Sequence, residues 1–177
     1  MNISYNQDLL CNIIPLLKNF KYHIISHREL LRVLDSLPGE REFWVYTCDA
    51  HLQMAVISWC MVFGTDNNPS HWKNLAHGNV ISLKEYIAKK TQISISEYEV
   101  KWGAIVEFRN HYVAHKEDYT KPVPFLTFAE MVVDNFELWA IEMFHPEKLE
   151  QNAPLNYLWE ACIQDIKTSI DYIITRD

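Results

Sequence analysis

"EREFWVYTCDAHLQMAVISWCMVF", residues 40–63, decides the fold class. "LPGE", Leu37–Glu40, stands before it as punctuation that ends one helix and begins the next. Within the stretch Val45, Asp49, Leu52, Val56, Trp59 and Phe63 recur every three or four positions, the period of a helix with one face turned to a core. Its most apolar part, "MAVISWCMVF" from Met54 to Phe63, is about half of the ~20 residues needed to cross a bilayer. The stretch is therefore a core helix, and no membrane segment is expected.

The same punctuation extends outward in both directions. Ser26 with Glu29, Ser96 with Glu99 and Thr127 with Glu130 have capping-box spacing, in which side chains satisfy the free amide donors of a first helical turn. "HPEK" at 145–148 and "NAPL" at 152–155 bracket the last connection. Helices are predicted near 7–20, 27–37, 40–63, 83–90, 97–115, 128–144 and 155–174. Only "TQISIS", 91–96, hints at a strand. The expected fold is all-α, a single-domain bundle of six or seven helices over 1–177. Trp44, Trp59, Trp102, Trp139 and Trp159 fall on separate helices at positions expected to pack. The connection Gly64–Val80 is long for a bundle and holds His71 and Trp72, which marks it as a second place to look for function.

Composition narrows the function classes. The chain has 177 residues, 49% apolar and 13% aromatic, with 4 glycines, which is a folding composition and excludes disorder. A formal charge of -7 argues against a broad basic surface that coats nucleic acid, while leaving room for a small site with local cations. Cys11, Cys48, Cys60 and Cys162 form no CxxC pair and follow no secretory signal, so buried reduced thiols and a cytoplasmic location are expected.

"EFRNHYVAHKED", Glu107–Asp118, crowds polar chemistry onto the end of a core helix. At ~100° per residue, Tyr98, Trp102, Ile105, Arg109 and Tyr112 form one stripe, with Arg109 inside it. A guanidinium in that position needs a carboxylate, a phosphate or a water-filled cleft. Asp49 interrupts the apolar stripe of 40–63 in the same way, so an Asp49–Arg109 pair across the bundle is expected, and a purely structural ion pair is one reading of it. His111 and His115 share a face at i, i+4, but two ligands do not make a zinc site, and His23, His27, His51, His71, His77 and His145 are read as offering no ligand set, so neither metal nor cofactor is expected. Arg109 and His115 lie about 120° apart on a straight helix, so they converge only if the chain turns back near Val113 or if a twofold dimer brings one chain's arginine to the other's histidine.

Arg109-Asn110 followed after four more residues by His115 resembles the signature of the HEPN superfamily (higher eukaryotes and prokaryotes nucleotide-binding), an arginine, a polar residue and a histidine at short spacing. "WCMVFG", 59–64, and His71-Trp72 are similar to the branch found among bacterial abortive-infection proteins. The resemblance implies a helical bundle, a homodimer with a composite cleft, and metal-independent endoribonuclease activity on an RNA substrate. It implies that Arg109 binds the scissile phosphate, that Asn110 holds Arg109 or the phosphate, and that His115 moves protons as the ribose 2'-OH attacks. His111 and Tyr112 are neighbours able to bond to or stack on a base, and Asp49 is a supporting residue. Some members of the superfamily are catalytically inert, so a nucleotide- or protein-binding module, paired with an antitoxin protein, is the alternative.

Overall fold

The computed structural model of the protein describes residues 4–76, 81–114, 122–144 and 156–175. They form six α-helices and, among the described residues, no strand. In chain order these are α1 Gln7–Val33, α2 Arg41–Phe63, α3 Leu83–Thr91, α4 Ile95–Phe108, α5 Thr127–Phe144 and α6 Asn156–Ile174. A π-helical turn, Arg109–Ala114, continues α4, and short 3-10 turns lie at Leu34–Ser36 and Trp72–Asn74.

Two helices expected in the first forty residues are one. α1 runs unbroken because Leu17, Phe20 and Ile24 keep the buried stripe going, and Ser26, expected to cap a new helix, is itself buried inside it. Glu29 pairs with Arg32 at 3.0 Å instead of reaching back to a cap. Twenty-seven residues make a rod of about 40 Å, long enough to serve two cores. Ile13, Leu17 and Phe20 enter the main one, with Trp59 and Phe63 of α2, Ile87 of α3, Phe108 of α4, and Phe136 and Trp139 of α5. Leu30 and Val33 enter a smaller one with Leu37, Cys48 and the α6 residues Ile166 and Ile170. Each large side chain so buried contributes roughly 1.5–3 kcal/mol.

Gly39, at φ +82°, turns the chain from α1 into α2, in a backbone region that residues with a β-carbon avoid. "TQISIS" is a helix corner and not a strand. Gln92 closes α3 in the left-handed conformation, and Ser94 caps α4, its Oγ accepting from the Glu97 amide at 3.1 Å. The cap thus stands two residues before the expected Ser96, and Glu99 instead pairs with Lys84 of α3. α5 starts at Thr127, one residue from expectation.

Four of the tryptophans pack as expected, and each donates its indole N–H to a backbone carbonyl. Trp44 bonds to Pro38 at 2.7 Å, Trp59 to Ala129 at 3.2 Å, Trp102 to Phe63 at 2.6 Å and Trp139 to Ile81 at 2.8 Å. Each ties its helix to another part of the chain, so the polar edge of a buried ring is satisfied while its faces pack. Trp72 lies edge-on to Trp139, ring centroids 5.7 Å apart. The side chain of Trp159 lies outside the described residues. Of the cysteines, Cys48 and Cys60 are buried as expected, but Cys162 is half-buried and Cys11 is exposed. Cys11 lies two positions, about 200°, around α1 from buried Leu9, which turns it to the outer face.

Candidate functional site

The expected stripe on α4 exists: Tyr98 packs on Phe128 of α5, while Trp102 and the π turn that continues the helix meet α2. Tyr98 and Ile105 are buried, and Trp102, Arg109 and Tyr112 are half-buried. The two helices run antiparallel, with Trp102 at the Phe63 carbonyl, Arg109 at Cys60 and Tyr112 at Asp49.

The helix changes character where the chemistry begins. The Arg109 amide N–H is shared between the carbonyls of Ile105 and Val106, and from Arg109 to Ala114 the backbone is π-helical. Such wide turns are rare and often accompany functional sites, because they re-aim side chains that an α-helix would stack.

Asp49 does face this segment, but through another residue. Its Oδ1 accepts from the Tyr112 hydroxyl at 3.0 Å, and its Oδ2 accepts from Gln53 Nε2 at 2.6 Å. Tyr112 also stacks on Phe108, centroids 5.0 Å apart at 17°. Burial and the Asp49 carboxylate together push the Tyr112 hydroxyl pKa up, so it stays protonated and donates. The expected Asp49–Arg109 ion pair is not among those of the described residues.

Arg109 instead reaches Cys60, three turns along α2 from Asp49, where its positive charge acts on the thiol. Burial pushes the Cys60 thiol up to about 11 against the opposing pull of Arg109. A thiol with that pKa is neutral at physiological pH, so it does not balance the guanidinium charge. Among the described residues, no carboxylate lies within ion-pair distance of Arg109. Half-buried positive charge in that state favours an anion.

Asn110 is half-buried beside Arg109, and His111 is exposed. His115, the expected proton-transfer group, lies outside the described residues, as do His77 and the segment 115–121. Among the described residues, no group of three His, Cys, Asp or Glu side chains is arranged to hold a metal ion.

The end of α2 that carries Cys60 is fixed by Gly64. Its N–H donates to the Cys60 carbonyl at 3.0 Å, and a β-carbon on it would stand 2.4 Å from that oxygen. The loop that follows folds around His71, which is 2% exposed. His71 Nδ1 accepts from the Lys73 amide at 3.3 Å and Nε2 stands 3.5 Å from Asp66, while burial is the chief cause of its lowered pKa. With both ring nitrogens engaged, His71 is the organiser of a turn. A cleft of about 590 Å³ opens beside it between Trp72 and Trp102, but the lysines at its edge, Lys73 and Lys84, are paired with Asp66 and Glu99. A second groove, of about 740 Å³, is lined by Val100, Ala104 and Phe125. At ~100° per residue Val100 and Ala104 lie on the face of α4 opposite Arg109, so this groove is separate from the motif.

Sequence reading missed two arrangements. His23 and His51 meet between α1 and α2, Nδ1 to Nδ1 at 2.8 Å. The spacing of four between His23 and His27 puts both on one side of α1, but that this side faces His51 is set by the packing of α1 against α2. The second is a solvent-facing apolar stripe on α2. Phe43, Tyr46 and Met54 are 63%, 67% and 41% exposed, and Ala50 is exposed with them. Together with half-buried Ile57 and Met61 they fall within about 80° of arc, opposite the face that holds Trp59. Asp49, Gln53 and Cys60, which hold the Arg109 segment, border this stripe on one side.

Compared with known proteins, the chain matches no family model, no curated protein and no solved structure.

Proposed function

We propose that the protein is a metal-independent endoribonuclease of the toxin or abortive-infection type, acting as a homodimer. The observation that carries this reading is Arg109: a half-buried guanidinium at the start of a π turn, with a neutral thiol for its described partner. A scissile phosphate supplies the missing charge. The spacing of Arg109, Asn110 and His115, which resembles the HEPN signature, names the reaction.

In that reaction the ribose 2'-oxygen attacks the adjacent phosphorus and the bond from phosphorus to the 5'-oxygen breaks. The products are a 2',3'-cyclic phosphate and a 5'-OH. One proton leaves the attacking hydroxyl and one arrives on the leaving oxygen, and His115 is the group assigned to move them. Arg109 binds the nonbridging oxygens and stabilises the negative charge that grows on them, the kind of preorganised contact worth roughly 10²–10³ in rate. Asn110 is assigned to hold Arg109 or the phosphate. Asp49 and Gln53 are positioning residues that fix Tyr112 and through it the π turn. Tyr112 and His111 flank the phosphate site as contacts for a base.

The exposed stripe on α2 supports the dimer. A second copy seated there about a twofold axis covers Phe43, Tyr46 and Met54 and places two Arg109 segments at the borders of one interface, with Ala50 small enough to let the helices approach. The acidic chain suits a specific RNA or an antitoxin protein that masks the cleft better than it suits bulk RNA.

The test is cleavage of structured and unstructured RNAs by purified protein in EDTA, beside a folded His115→Ala variant. Cleavage lost in the variant, with products ending in cyclic phosphate, is the expected result. RNA binding without cleavage would favour the inert binding module, and products with 3'-OH ends would rule out attack by the 2'-OH.

A further inference from the structure

The two histidines between α1 and α2 have no part in the reading of Arg109. Their Nδ1 atoms are 2.8 Å apart, their ring centroids 5.0 Å, and their planes inclined at 48°. Tyr22 stands edge-on to His23 at 5.6 Å and tilted to His51 at 6.4 Å. His27, one turn along α1, points its Nδ1 at the Cys48 carbonyl at 2.9 Å. A carbonyl only accepts, so His27 carries its proton on Nδ1. The bond between His23 and His51 demands a different arrangement: one Nδ1 carries a hydrogen and the other is bare.

We propose that His23 and His51 form a proton-operated clasp between α1 and α2, closed by the single hydrogen bond between their Nδ1 atoms and opened when both imidazoles are protonated. Once both nitrogens bear hydrogens, two donors and two positive charges face each other across 2.8 Å. The rings must then turn or the helices must part.

Nothing described nearby absorbs that charge. Among the described residues, no carboxylate stands within ion-pair distance of His23 or His51. On α1 the titratable neighbours are Tyr22 and His27, and a second charge on His27 adds to the repulsion. The α5 carboxylates that reach α1 are taken, Asp134 by Lys21 at 2.5 Å and Glu130 by Arg28 at 2.5 Å. On the α6 side, Lys167 stands 3.9 Å from Glu29. On α2, Asp49 is turned toward Tyr112 on the other flank of the helix. Water and His51's own rotation are the remaining outlets, and both break the bond.

The direction of the pH effect follows. Burial lowers the pKa of His23 below its usual 6.5, and burial with the charges of His23 and His27 lowers that of His51. The unfolded chain therefore takes up protons on acidification before the folded chain does. The clasp contributes its full stability above the unfolded value near 6.5 and loses it as pH falls below that value.

The test compares urea unfolding at about pH 7.5 and about pH 5.5 for the wild-type chain and for His23→Asn/His51→Asn, in which an amide pair keeps the hydrogen bond and cannot titrate. The histidines away from the pair are common to both chains and cancel, and His27, whose charge acts on His51, adds to the same difference. The wild-type unfolding constant should rise on acidification by about tenfold more than the variant's for each imidazole kept neutral. Superimposable pH dependences would overturn the clasp. If the double variant does not fold, imidazole nitrogen NMR of the wild-type chain decides: two unequal steps below the usual value support the clasp, and independent titrations at the usual value refute it.

Discussion

The substitution of alanine for glycine should have opposite effects at Gly64 and Gly103. A β-carbon on Gly64 falls 2.4 Å from the Cys60 carbonyl oxygen and 3.2 Å from its carbonyl carbon, both rigid backbone atoms. The same oxygen accepts the Gly64 N–H at 3.0 Å, so relieving the clash means opening the last turn of α2 and giving up that bond. Overpacking costs about 1–3 kcal/mol and a lost hydrogen bond about 1 kcal/mol, so Gly64→Ala should destabilise by about 2–4 kcal/mol. For a chain of this size that is roughly 4–16 °C in Tm. The damage would reach the site, because the opened turn holds the Phe63 carbonyl that anchors Trp102 and the Cys60 sulfur that Arg109 touches. Gly103 sits inside α4 with nothing within 4 Å of an added β-carbon. There alanine removes the entropy cost of a mid-helix glycine and should stabilise by about 0.5–1 kcal/mol. Urea unfolding and thermal melts of both variants check this. Two variants with the same sign, or Gly64→Ala within about 0.5 kcal/mol of the parent, would refute the packing argument.

Tyr112→Phe keeps the stack on Phe108 and removes only the hydroxyl that Asp49 accepts from, so urea unfolding should show a loss of about 1 kcal/mol. No change would mean that the Asp49 contact does not hold the π turn. Thiol labelling of the native protein at about pH 8 should modify exposed Cys11 first. Cys60, with its thiol pushed up to about 11, should react only after denaturation, and equal rates for Cys11 and Cys60 would contradict its burial beside Arg109.

The helical architecture was legible in the chain because the buried stripes of α2, α4 and α5 keep a helix period over many turns. What failed was punctuation. Ser26-Glu29 has the spacing of a cap, yet the apolar stripe on either side is continuous, and burial of Ser26 outweighs the local signal. "TQISIS" alternates like a strand, but Ser94 capping the Glu97 amide turns it into a helix start. At the site, the sequence placed Asp49 and the Arg109 segment on facing helices, and they do face each other. It could not resolve which side chain of the segment meets the carboxylate. On a straight helix Arg109 and Tyr112 share a stripe, and only the π turn, which has no simple signature, sends the tyrosine to Asp49 and the arginine to Cys60. The His23–His51 contact depends on the azimuths of α1 and α2 about each other, a tertiary quantity that spacing within one helix does not encode.

The most direct test of the account is Arg109→Ala, read twice on one preparation: RNA cleavage rate in EDTA and thermal melting. Arg109 contacts a neutral thiol and no described carboxylate, so its removal leaves no stranded counter-charge among those residues. The account predicts a rate lower by at least about a hundredfold, with Tm within about 2 °C of the parent. A wild-type chain that cuts no RNA, together with a sharp fall in Tm for Arg109→Ala, would contradict it and make Arg109 a structural residue of the interface between α2 and α4.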